Sequence, residues 1–512
     1  MHDVSEPVPW WQRAVVYQIY PRSFSDANGD GIGDLEGARR RLDHLAWLGV
    51  DAIWLSPFYR SPMYDFGYDV SDHTDVDPLF GTLGDVDRLI AEAGERDIRV
   101  IVDLVPNHTS HEHPWFQASR SSRDDPKRDW YVWRDGGGPD QPPNNWVGAF
   151  IEGPAWTWDP HTEQWYLHQF LPEQPDLNWE NPEVRDAVYD VMRFWLDRGV
   201  AGFRIDVVHC IGRDPELPDD EPPWVGIPHC AINEHPSTHE YIKEMRAVVE
   251  AYDGDRVLIG ETAVPGTRWV APYYGYGDEL HLAFNFAATH APWDAERWRE
   301  RIVRIHEELD PRGAWPTWVL SNHDTPRHRT RYGGREARAR AAAVALLTQR
   351  GTPFLYAGEE LGLEDAAVPP ERVVDPGGRD GCRAPVPWER APGHGWGPDP
   401  WLPFPPEAAA RSAEAQREDG GSILHLYQRL LVARRGSAAL QVGDQELLDA
   451  PEGVLAWRRA AGDDERVVVV NMGAAAAEVD LAGTVEVASD GKGEGEPFAG
   501  HLDADAAVLL RP

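Results

Sequence analysis

The chain contains the stretch Gly202-Phe203-Arg204-Ile205-Asp206, a short apolar run that ends in a carboxylate. Two further apolar runs, residues 257–260 and 319–321, lead in the same way into Glu261 and Asp324. Each run is typical of a buried β-strand, and each is followed by loop-like sequence. The carboxyl ends of the strands in a parallel α/β barrel meet on one face. We therefore expect the three acids to converge on a single pocket.

Similar apolar segments recur along the chain and alternate with helical patterns, which predicts a parallel sheet. Eight segments predict strands, at Val15–Tyr20, Ala52–Ser56, Arg99–Val105, Gly202–Val207, Val257–Glu261, Leu280–Asn285, Thr317–Ser321 and Pro353–Ala357. Helical patterns between them cover Leu35–Leu48, Asp85–Arg96, Pro182–Arg198, His239–Tyr252 and Arg335–Thr348. The sequence therefore predicts a (β/α)8 TIM barrel.

The spacing of these strands leaves room for two further units. Residues 109–181 are dense in Trp, Pro, Gly and Asp, which predicts an inserted subdomain after strand 3. A Pro- and Gly-rich stretch at about 362–420 precedes a helix at Ile423–Arg434 that closes the barrel. Runs at Val454–Arg459, Arg466–Val470 and Val485–Ala488 predict a C-terminal antiparallel β-sandwich. We divide the chain into a barrel (1–108 and 182–435), the insertion (109–181) and a C-terminal domain (436–512).

Composition limits the partners and the compartment. The formal net charge of −37 over 512 residues argues against nucleic acid or an anionic membrane as a partner. The first eleven residues lack the basic start and apolar core of a secretory signal. Cys210, Cys230 and Cys382 have no metal-ligand spacing, which favours reduced thiols, while a Cys210–Cys230 bridge stays open. We predict a cytoplasmic protein, monomeric or homodimeric, that acts on a small molecule.

Several carboxylates in a cleft with Trp and Tyr suit glycoside hydrolysis. In that chemistry one carboxylate attacks the anomeric carbon and another protonates the leaving oxygen, while aromatic faces stack on sugar rings. A single acid at a strand end is as often an ordinary salt-bridge partner. The conjunction of three such acids favours the catalytic interpretation.

Four segments, in order, resemble the signature of the α-amylase superfamily, glycoside hydrolase family 13. They are Asp103–His108, Gly202–His209, Glu261 and Ser321–Asp324, and the resemblance covers about residues 12–435. Gln174–Trp179 also resembles the segment that marks the oligo-1,6-glucosidase and α-glucosidase group. Residues 213–239 and 281–286 look more like actinobacterial and Thermus-type α-glucosidases.

The resemblance implies a role for each of the three acids. Asp206 would be the nucleophile, Glu261 the general acid/base, and Asp324 the residue that stabilises the oxocarbenium-like transition state. Arg204, two residues before Asp206 on the same strand face, is positioned to keep Asp206 ionised. The family roles also imply that His108 and His323 hydrogen-bond the sugar and that Asp103 supports the site from behind.

The stretch Asp65-Phe66-Gly67-Tyr68-Asp69 follows the second strand. By resemblance Tyr68 stacks under the sugar and Asp65 grips its non-reducing end. Arg383 is the favoured partner of Asp65, with Arg379 as the alternative. Such a pair blocks the cleft beyond one glucose, which predicts a retaining, exo-acting α-glucosidase that can also transfer glucose.

The preferred linkage is left open by two residues on the leaving-group side. Val207 often accompanies action on α-1,6 links in related enzymes, whereas the α-glucosidases that the chain otherwise resembles often prefer α-1,4 substrates. His209 stands where many relatives have Asn or Trp. We favour an α-1,4-type α-glucosidase over an oligo-1,6-glucosidase.

An acidic loop after the first strand predicts a structural metal site. Asp26, Asn28, Asp30 and Asp34 place oxygen ligands at alternate positions, with glycine at the sixth, as in the first nine positions of a calcium loop. The twelfth position is glycine, so the bidentate Glu of an EF-hand is missing. The resemblance implies Ca²⁺ or Mg²⁺ bound by these side chains and the Ile32 carbonyl. No organic cofactor is expected.

Two other functions compete with hydrolysis. A trehalose synthase-like isomerase or other transglycosylase would share the three catalytic acids and would differ by retaining the released glucose. A catalytically silent relative would act as a binding partner, but such relatives carry a membrane helix and lose catalytic acids. This chain has neither feature.

Overall fold

A computed structural model describes residues 8–228, 235–287 and 289–512. Its central sheet has eight parallel strands, and strands that follow one another in the chain lie side by side. They are β1 (Val16–Ile19), β2 (Ala52–Leu55), β3 (Arg99–Leu104), β4 (Gly202–Ile205), β5 (Val257–Gly260), β6 (Leu282–Ala283), β7 (Thr317–Val319) and β8 (Thr352–Tyr356). The predicted TIM barrel is confirmed, and each strand ends within two residues of its predicted bounds.

The sheet closes into a barrel at two junctions of different kinds. β1 pairs with β8 by a parallel ladder, whereas no ladder joins β6 to β7 within the described chain. The side chain of Thr317 bridges that gap instead, because its Oγ1 donates to the Ala283 carbonyl (2.8 Å) and accepts from the Asn285 N–H (3.1 Å). The Thr289 hydroxyl adds a third bond, to the Val319 carbonyl at 2.7 Å.

Helices surround the sheet. The longer ones are Leu35–Arg40, Leu42–Leu48, Leu83–Gly94, Pro114–Ser121, Pro182–Asp197, Pro236–Glu250, Ala295–Leu309, Glu336–Thr348 and Ile423–Arg435. Four-residue to six-residue helices lie at Trp10–Arg13, Pro21–Phe24, Thr267–Val270, His328–Arg331, Ala413–Glu418 and Ala438–Val442. Pro182 shows why one begins where it does: proline suits the first turn, and the Asn181 side chain caps it by accepting from the Glu183 N–H.

The single helix predicted over Leu35–Leu48 is wrong. The chain breaks at Arg41 (φ −98°, ψ 3°) into two short helices. Bonds of the i to i+3 type tighten the backbone there, from the Arg41 N–H to Ala38 and from the His44 N–H to Arg41. The Arg41 guanidinium lies 4.3 Å from the centre of the Trp388 ring, so the break lets a charged side chain pack against an aromatic one.

The region predicted as an insertion has secondary structure of its own. Besides the helix Pro114–Ser121, it forms a three-stranded antiparallel sheet of Trp133–Arg134, Gln164–Leu167 and Trp156–Asp159, in that spatial order. Its apolar cluster includes Trp156 and Phe170 and extends to Val207 and Cys210, just after β4. The insertion therefore packs directly against the segment that carries Asp206. A separate hairpin, Tyr59–Arg60 with Asp72–Val76, brackets the Asp65–Asp69 stretch.

The C-terminal region is an antiparallel β domain. Five strands pair in the order Asp444–Leu448, Val454–Ala461, Asp464–Asn471, Ala506–Arg511 and Thr484–Ala488, and a two-stranded ribbon joins Ala477–Glu478 to His501–Leu502. The three predicted strands are confirmed. Ala506–Arg511 was not predicted, because its Ala and Leu residues give a weak strand signal.

Two expectations about the whole chain concern cysteines and membranes. Cys210 and Cys382 are buried, whereas Cys230 lies outside the described residues, so the possible Cys210–Cys230 bridge lies outside them too. Within the described ranges, no helix is both long enough and apolar enough to cross a membrane.

Replacing Thr317 by valine tests the side-chain closure of the barrel. The change keeps the shape but leaves the Asn285 N–H without its partner, at about 1–3 kcal/mol for a buried group. The Ala283 carbonyl keeps only its longer bond from the Tyr274 hydroxyl, at 3.3 Å. We expect the free energy of unfolding in urea to fall by that amount. Thr484→Val, at an exposed strand position, is the control and should change it little. Equal stabilities of the two variants would contradict the bridging role.

Candidate active site

The centre of the site is the guanidinium of Arg204, whose side chain points into the barrel from β4 and is 2% exposed. One nitrogen, Nη1, donates to Asp103 Oδ1 and to Asp206 Oδ1, both at 2.8 Å. The other, Nη2, donates to Glu261 Oε2 at 2.6 Å. Asp103 lies on β3, and Asp206 and Glu261 directly follow β4 and β5. Three neighbouring strands thus deliver three carboxyls to one cation.

This cluster has more potential negative charge than Arg204 can neutralise. Burial raises the pKa of Asp103 to about 6, although Arg204 opposes the shift. Burial also raises the pKa of Asp206 well above its ordinary value, and again Arg204 opposes it. Arg204 therefore acts on the pKa of Asp206 in the direction that the sequence predicts, but burial outweighs it. Asp103 also raises the pKa of Asp206, so these two carboxyls retain a proton more readily than isolated acids do.

Glu261 is held by the backbone as well as by Arg204. Its Oε2 accepts from the Val207 N–H at 3.0 Å. Val207 adopts φ 34° and ψ 46°, a left-handed conformation that is rare for a β-branched residue. That conformation turns the N–H immediately after Asp206 toward the Glu261 carboxyl. His209 is also close, with Nδ1 3.4 Å from the Glu261 carbonyl, and burial lowers the pKa of His209 to about 4.

A second chain of hydrogen bonds joins His323 to the cluster. Gln18 Nε2 donates to His323 Nδ1 (2.8 Å), so the proton of the neutral ring is on Nε2. Burial lowers the pKa of His323 to about 3, which keeps the ring neutral. Its Nε2 lies 2.7 Å from the Tyr68 hydroxyl, which donates in turn to Asp103 Oδ2 at 3.1 Å. The Tyr68 and His323 rings stack 5.3 Å apart. Tyr68 is thereby fixed as one wall of the site.

The other end of the site is closed by an ion-pair clamp. Arg379 Nη2 contacts Asp65 Oδ1 at 2.6 Å, and Arg379 Nη1 contacts Asp324 Oδ1 at 3.0 Å. The predicted pairing of Asp65 with Arg383 is therefore wrong. A turn of 3₁₀ helix at Asp380–Arg383 directs the fully buried Arg383 beneath the pocket, where it donates to the His323 carbonyl (2.8 Å) and to Asp324 (3.0 Å).

Asp375, which sequence reasoning missed, holds both arginines. Its Oδ2 accepts from the Arg379 N–H (2.6 Å) and Nε (2.9 Å), and its Oδ1 accepts from Arg379 Nη2 (2.7 Å) and Arg383 Nη1 (3.3 Å). Its carboxyl is fully buried. The only sequence signal is a four-residue spacing from Arg379 across a Gly-rich turn. With both arginines fixed, they and His323 lower the pKa of Asp324 against the effect of its burial.

These groups line a cavity of about 310 Å³, near the lower end of ligand pockets. Gln174 Nε2 donates to Asp65 Oδ2 at 3.0 Å and lies 3.1 Å from His108 Nε2. The Arg379 guanidinium lies 4.6 Å from the centre of the Phe150 ring. The residues that sequence analysis predicted and the structure brings to this cavity are Asp65, Tyr68, His108, Asp206, Val207, His209, Glu261 and Asp324. Arg204, Asp103, His323 and Arg383 lie behind its walls.

The acidic loop is separate from this cavity. Asp26 Oδ1 accepts from the Gly29 N–H (2.6 Å), and its Oδ2 accepts from those of Gly31 and Gly397 (both 2.9 Å). Asp30 and Asp34 accept loop N–H groups in the same way. Hard oxygen donors suit Ca²⁺ or Mg²⁺. However, within the described ranges no group of three or more His, Cys, Asp or Glu side chains is arranged to hold a metal ion. The oxygen atoms of the loop are of the chemical type that binds such a cation. Backbone N–H groups already donate hydrogen bonds to the Asp26, Asp30 and Asp34 oxygens.

A barrel with paired carboxyls at its strand ends suits a glycoside hydrolase. Residues 18–443 match the alpha-amylase catalytic domain, and the chain belongs to the alpha-amylase family. A probable alpha-glucosidase of Rhizobium meliloti is 42% identical over 503 residues, which cover 92% of this chain and 91% of that one. The oligo-1,6-glucosidase of Parageobacillus thermoglucosidasius is 39% identical over 518 residues, 90% of each chain.

A solved structure agrees with this assignment. The alpha-glucosyl transfer enzyme XgtA superposes with a TM-score of 0.91 at 40% identity, covering 99% of this chain and 100% of that one. The similarity to actinobacterial and Thermus-type enzymes in particular stays a prediction.

Asp375→Asn tests whether this carboxyl positions the clamp. The amide keeps the size but loses the charge that both arginines share, so Arg379 is no longer held between Asp65 and Asp324. We expect KM for a neutral α-glucoside to rise on the order of tenfold, about 1.4 kcal/mol, with a smaller change in kcat. Steady-state kinetics measure both.

Asp159→Asn is the matched control for Asp375→Asn. Asp159 is also fully buried and pairs with Arg120 at 2.9 Å, but it lies in the inserted region away from the clamp. Its loss should lower the melting temperature and leave KM unchanged. If Asp159→Asn raised KM as much as Asp375→Asn does, the effect would be general destabilisation and not positioning.

Proposed function

We propose that this enzyme is a retaining, exo-acting α-glucosidase that removes terminal α-linked glucose from short oligosaccharides or α-glucosides. The observation that carries the proposal is the combination of two features of one small cavity. Asp206 and Glu261 share Arg204 on one side, and the Asp65–Arg379–Asp324 clamp closes the other side. The names of the relatives, alpha-glucosidase and oligo-1,6-glucosidase, belong to the same class.

The arrangement of the two carboxyls supports retention. Asp206 and Glu261 bind the two terminal nitrogens of one guanidinium, so they are close neighbours. Retaining enzymes need a separation of roughly 5–5.5 Å, whereas inverting enzymes need about 6.5–9.5 Å to admit a water. Asp206 attacks the anomeric carbon while Glu261 donates its proton to the leaving oxygen. Glu261 then removes a proton from the water that releases glucose.

Exo action follows from the closed end of the cavity. Asp65, Arg379 and Asp324 form a continuous chain of ion pairs there, and Gln174 binds the second oxygen of Asp65. A longer sugar cannot extend past these residues without breaking their ion pairs. Its charged groups are suited to hydrogen-bond the hydroxyls of a terminal glucose, and Tyr68 offers an aromatic face beside them. One glucose unit is therefore the portion of substrate that the cavity takes.

Transfer of glucose to another acceptor is the second candidate function. It is favoured by the 40% identity to an alpha-glucosyl transfer enzyme, and hydrolysis and transfer share the same glucosyl-enzyme intermediate. Anomeric NMR of the products from maltose, isomaltose, sucrose and trehalose separates hydrolysis from transfer or isomerisation and gives the linkage preference. Release of α-glucose first supports retention, and β-glucose first contradicts it. α-1,4 preference, a cytoplasmic location and a monomeric or homodimeric state stay predictions.

Substrates with different leaving groups test the two carboxyl roles. Glu261→Gln should lower kcat/KM for maltose by about 10²–10⁴-fold, the usual contribution of a general acid. It should lower the first step on α-glucosyl fluoride much less, because fluoride leaves without a proton. Asp206→Asn should abolish turnover of both substrates, because both need the nucleophile. Equal losses on the two substrates in Glu261→Gln, or full activity of Asp206→Asn, would rule out these roles.

We propose further that the acidic loop binds one structural Ca²⁺ or Mg²⁺. Asp26, Asn28, Asp30 and Asp34 would supply side-chain oxygens and Ile32 its carbonyl, and the ion would tie the end of β1 to the segment around Gly397. Support comes from the donor chemistry, and the contact between Asp26 and the Gly397 N–H gives the loop a packing partner distant in sequence. The ion has no part in the reaction.

Metal removal tests this second proposal. Millimolar Ca²⁺ added to EDTA-treated protein should raise the melting temperature, because an ion that binds only the folded state stabilises it. The double variant Asp26→Asn/Asp30→Asn should lose the increment, and Asp124→Asn, an exposed acid elsewhere, should keep it. If Ca²⁺ and Mg²⁺ leave the melting temperature of the unaltered protein where EDTA sets it, the loop is closed by its amides alone.

A further inference from the structure

A second, larger cavity opens beside the catalytic one. Its volume is about 1350 Å³, more than four times the 310 Å³ of the glucose cavity. Ala263, two residues after Glu261, lines both cavities. The larger cavity therefore continues from the side on which Glu261 protonates the leaving group. The assignment of this side to the leaving group rests on the proposed glucosidase function. With that assignment, the larger cavity is where the aglycone lies.

The charge of this cavity is opposite to that of the protein. The chain as a whole has 86 acidic residues and 49 basic ones. The described lining residues of the cavity reverse that ratio, with four arginines and two glutamates: Arg268, Arg297, Arg301, Arg304, Glu300 and Glu307. One glutamate is neutralised, because Arg297 pairs with Glu300 at 3.0 Å. A local excess of cations in so acidic a chain favours an anionic ligand.

Two of these arginines, Arg297 and Arg301, are held by other groups of the protein. The other two, Arg268 and Arg304, are not paired with a described carboxylate. Arg301 donates to the carbonyls of Ala287 (2.5 Å) and His290 (3.3 Å), which fixes it in the wall. Arg268 and Arg304 are exposed at the cavity, and no described carboxylate lies within 4.0 Å of either guanidinium. Arg268 stands near the Trp269 ring, 5.8 Å from its centre. Both guanidiniums are thus available to a bound molecule.

The pKa of His290, another lining residue, is also affected by nearby arginines. Burial lowers its pKa, and Arg331 and Arg301 lower it further. The ring is therefore neutral at pH 7, and it leaves the positive charge of the wall to the arginines. The wall also offers apolar surface for the body of an aglycone, because Trp269 is 42% exposed and Trp224 is 50% exposed.

We propose that the leaving-group side of this enzyme prefers aglycones that carry an anionic group, a carboxylate or a phosphate, with Arg268 and Arg304 as the side chains that recognise it. The terminal glucose is bound at the clamp, and the acid group of the aglycone lies in the arginine-lined cavity. The protein's net charge is negative, so the local positive field of this cavity also directs the substrate by its charged end.

Matched pairs of glucosides test the preference. In one arm, α-glucosylglycerate is compared with α-glucosylglycerol, which replaces the carboxylate by a hydroxymethyl group. In the other, maltose with a 6-phosphate on its reducing glucose is compared with maltose. At about 0.01 M ionic strength, where charges act over roughly 30 Å, we expect kcat/KM to be about threefold to tenfold higher for the anionic member of at least one pair. The advantage should shrink at about 0.15 M. The arm that responds identifies the anion.

Two substitutions assign the preference to its residues. Arg268→Gln and Arg304→Gln, singly and together, should lower the ratio of kcat/KM for the anionic member to that for the neutral member, toward one in the double variant. Arg13→Gln, at the opposite end of the barrel, is the control and should leave the ratio unchanged. An anionic-to-neutral ratio of one or less in both arms overturns the proposal, as does a preference that survives the double variant.

A binding measurement separates this result from the proposed function. Calorimetric titration of the same four compounds into Glu261→Gln protein gives their affinities without turnover. Failure of the unaltered enzyme to hydrolyse any of the four compounds would overturn the glucosidase proposal. Equal affinity for the neutral and anionic members would overturn the charge preference alone.

Discussion

The site depends on one guanidinium that three carboxyls share. Arg204 is buried inside the barrel, where an unpaired charge would be very costly, and Asp103, Asp206 and Glu261 supply its partners from three adjacent strands. The parallel register of β3, β4 and β5 is what brings these groups to one level, because Asp103 pairs in register with Arg204. The barrel therefore fixes the positions of Asp206 and Glu261 before any substrate binds. Catalysis by such a pair needs that preorganisation.

The strand-end acids and Arg204 could be predicted because their placement follows from local rules. Apolar runs predict strands, parallel strands end on one face, and residues two apart share a strand face. The same rules could not find Gln18, Asp375 or the Asp65–Arg379 pair. Those contacts join residues up to 314 positions apart, across loops whose shape has no periodicity. Arg379 and Arg383 both carry the right chemistry, and only the 3₁₀ turn between them decides which one reaches Asp65.

The fold shows the same division between periodic and irregular sequence. All eight barrel strands were predictable from composition and spacing, yet the closure between β6 and β7 was not. It relies on the Thr317 side chain where a backbone ladder would be expected, and threonine in a strand is otherwise unremarkable. The break at Arg41 and the strand Ala506–Arg511 were not predicted, because the local sequence at each place favours another structure. Tertiary packing overrode propensity at both places.

The two ends of the active site differ in how their charges are paired. This difference indicates how each end selects its part of the substrate. At the glucose end every charge is paired: Arg379 is divided among Asp65, Asp324 and Asp375, so that end is rigid and accepts one fixed shape. At the proposed aglycone end the cavity is wide, and two of its guanidiniums, those of Arg268 and Arg304, have no carboxylate partner among the described residues. A rigid, neutralised end recognises shape through hydrogen bonds, whereas an open, charged end selects by electrostatic attraction. Charge selection under the proposal above therefore acts beyond Ala263, away from Arg204 and the clamp.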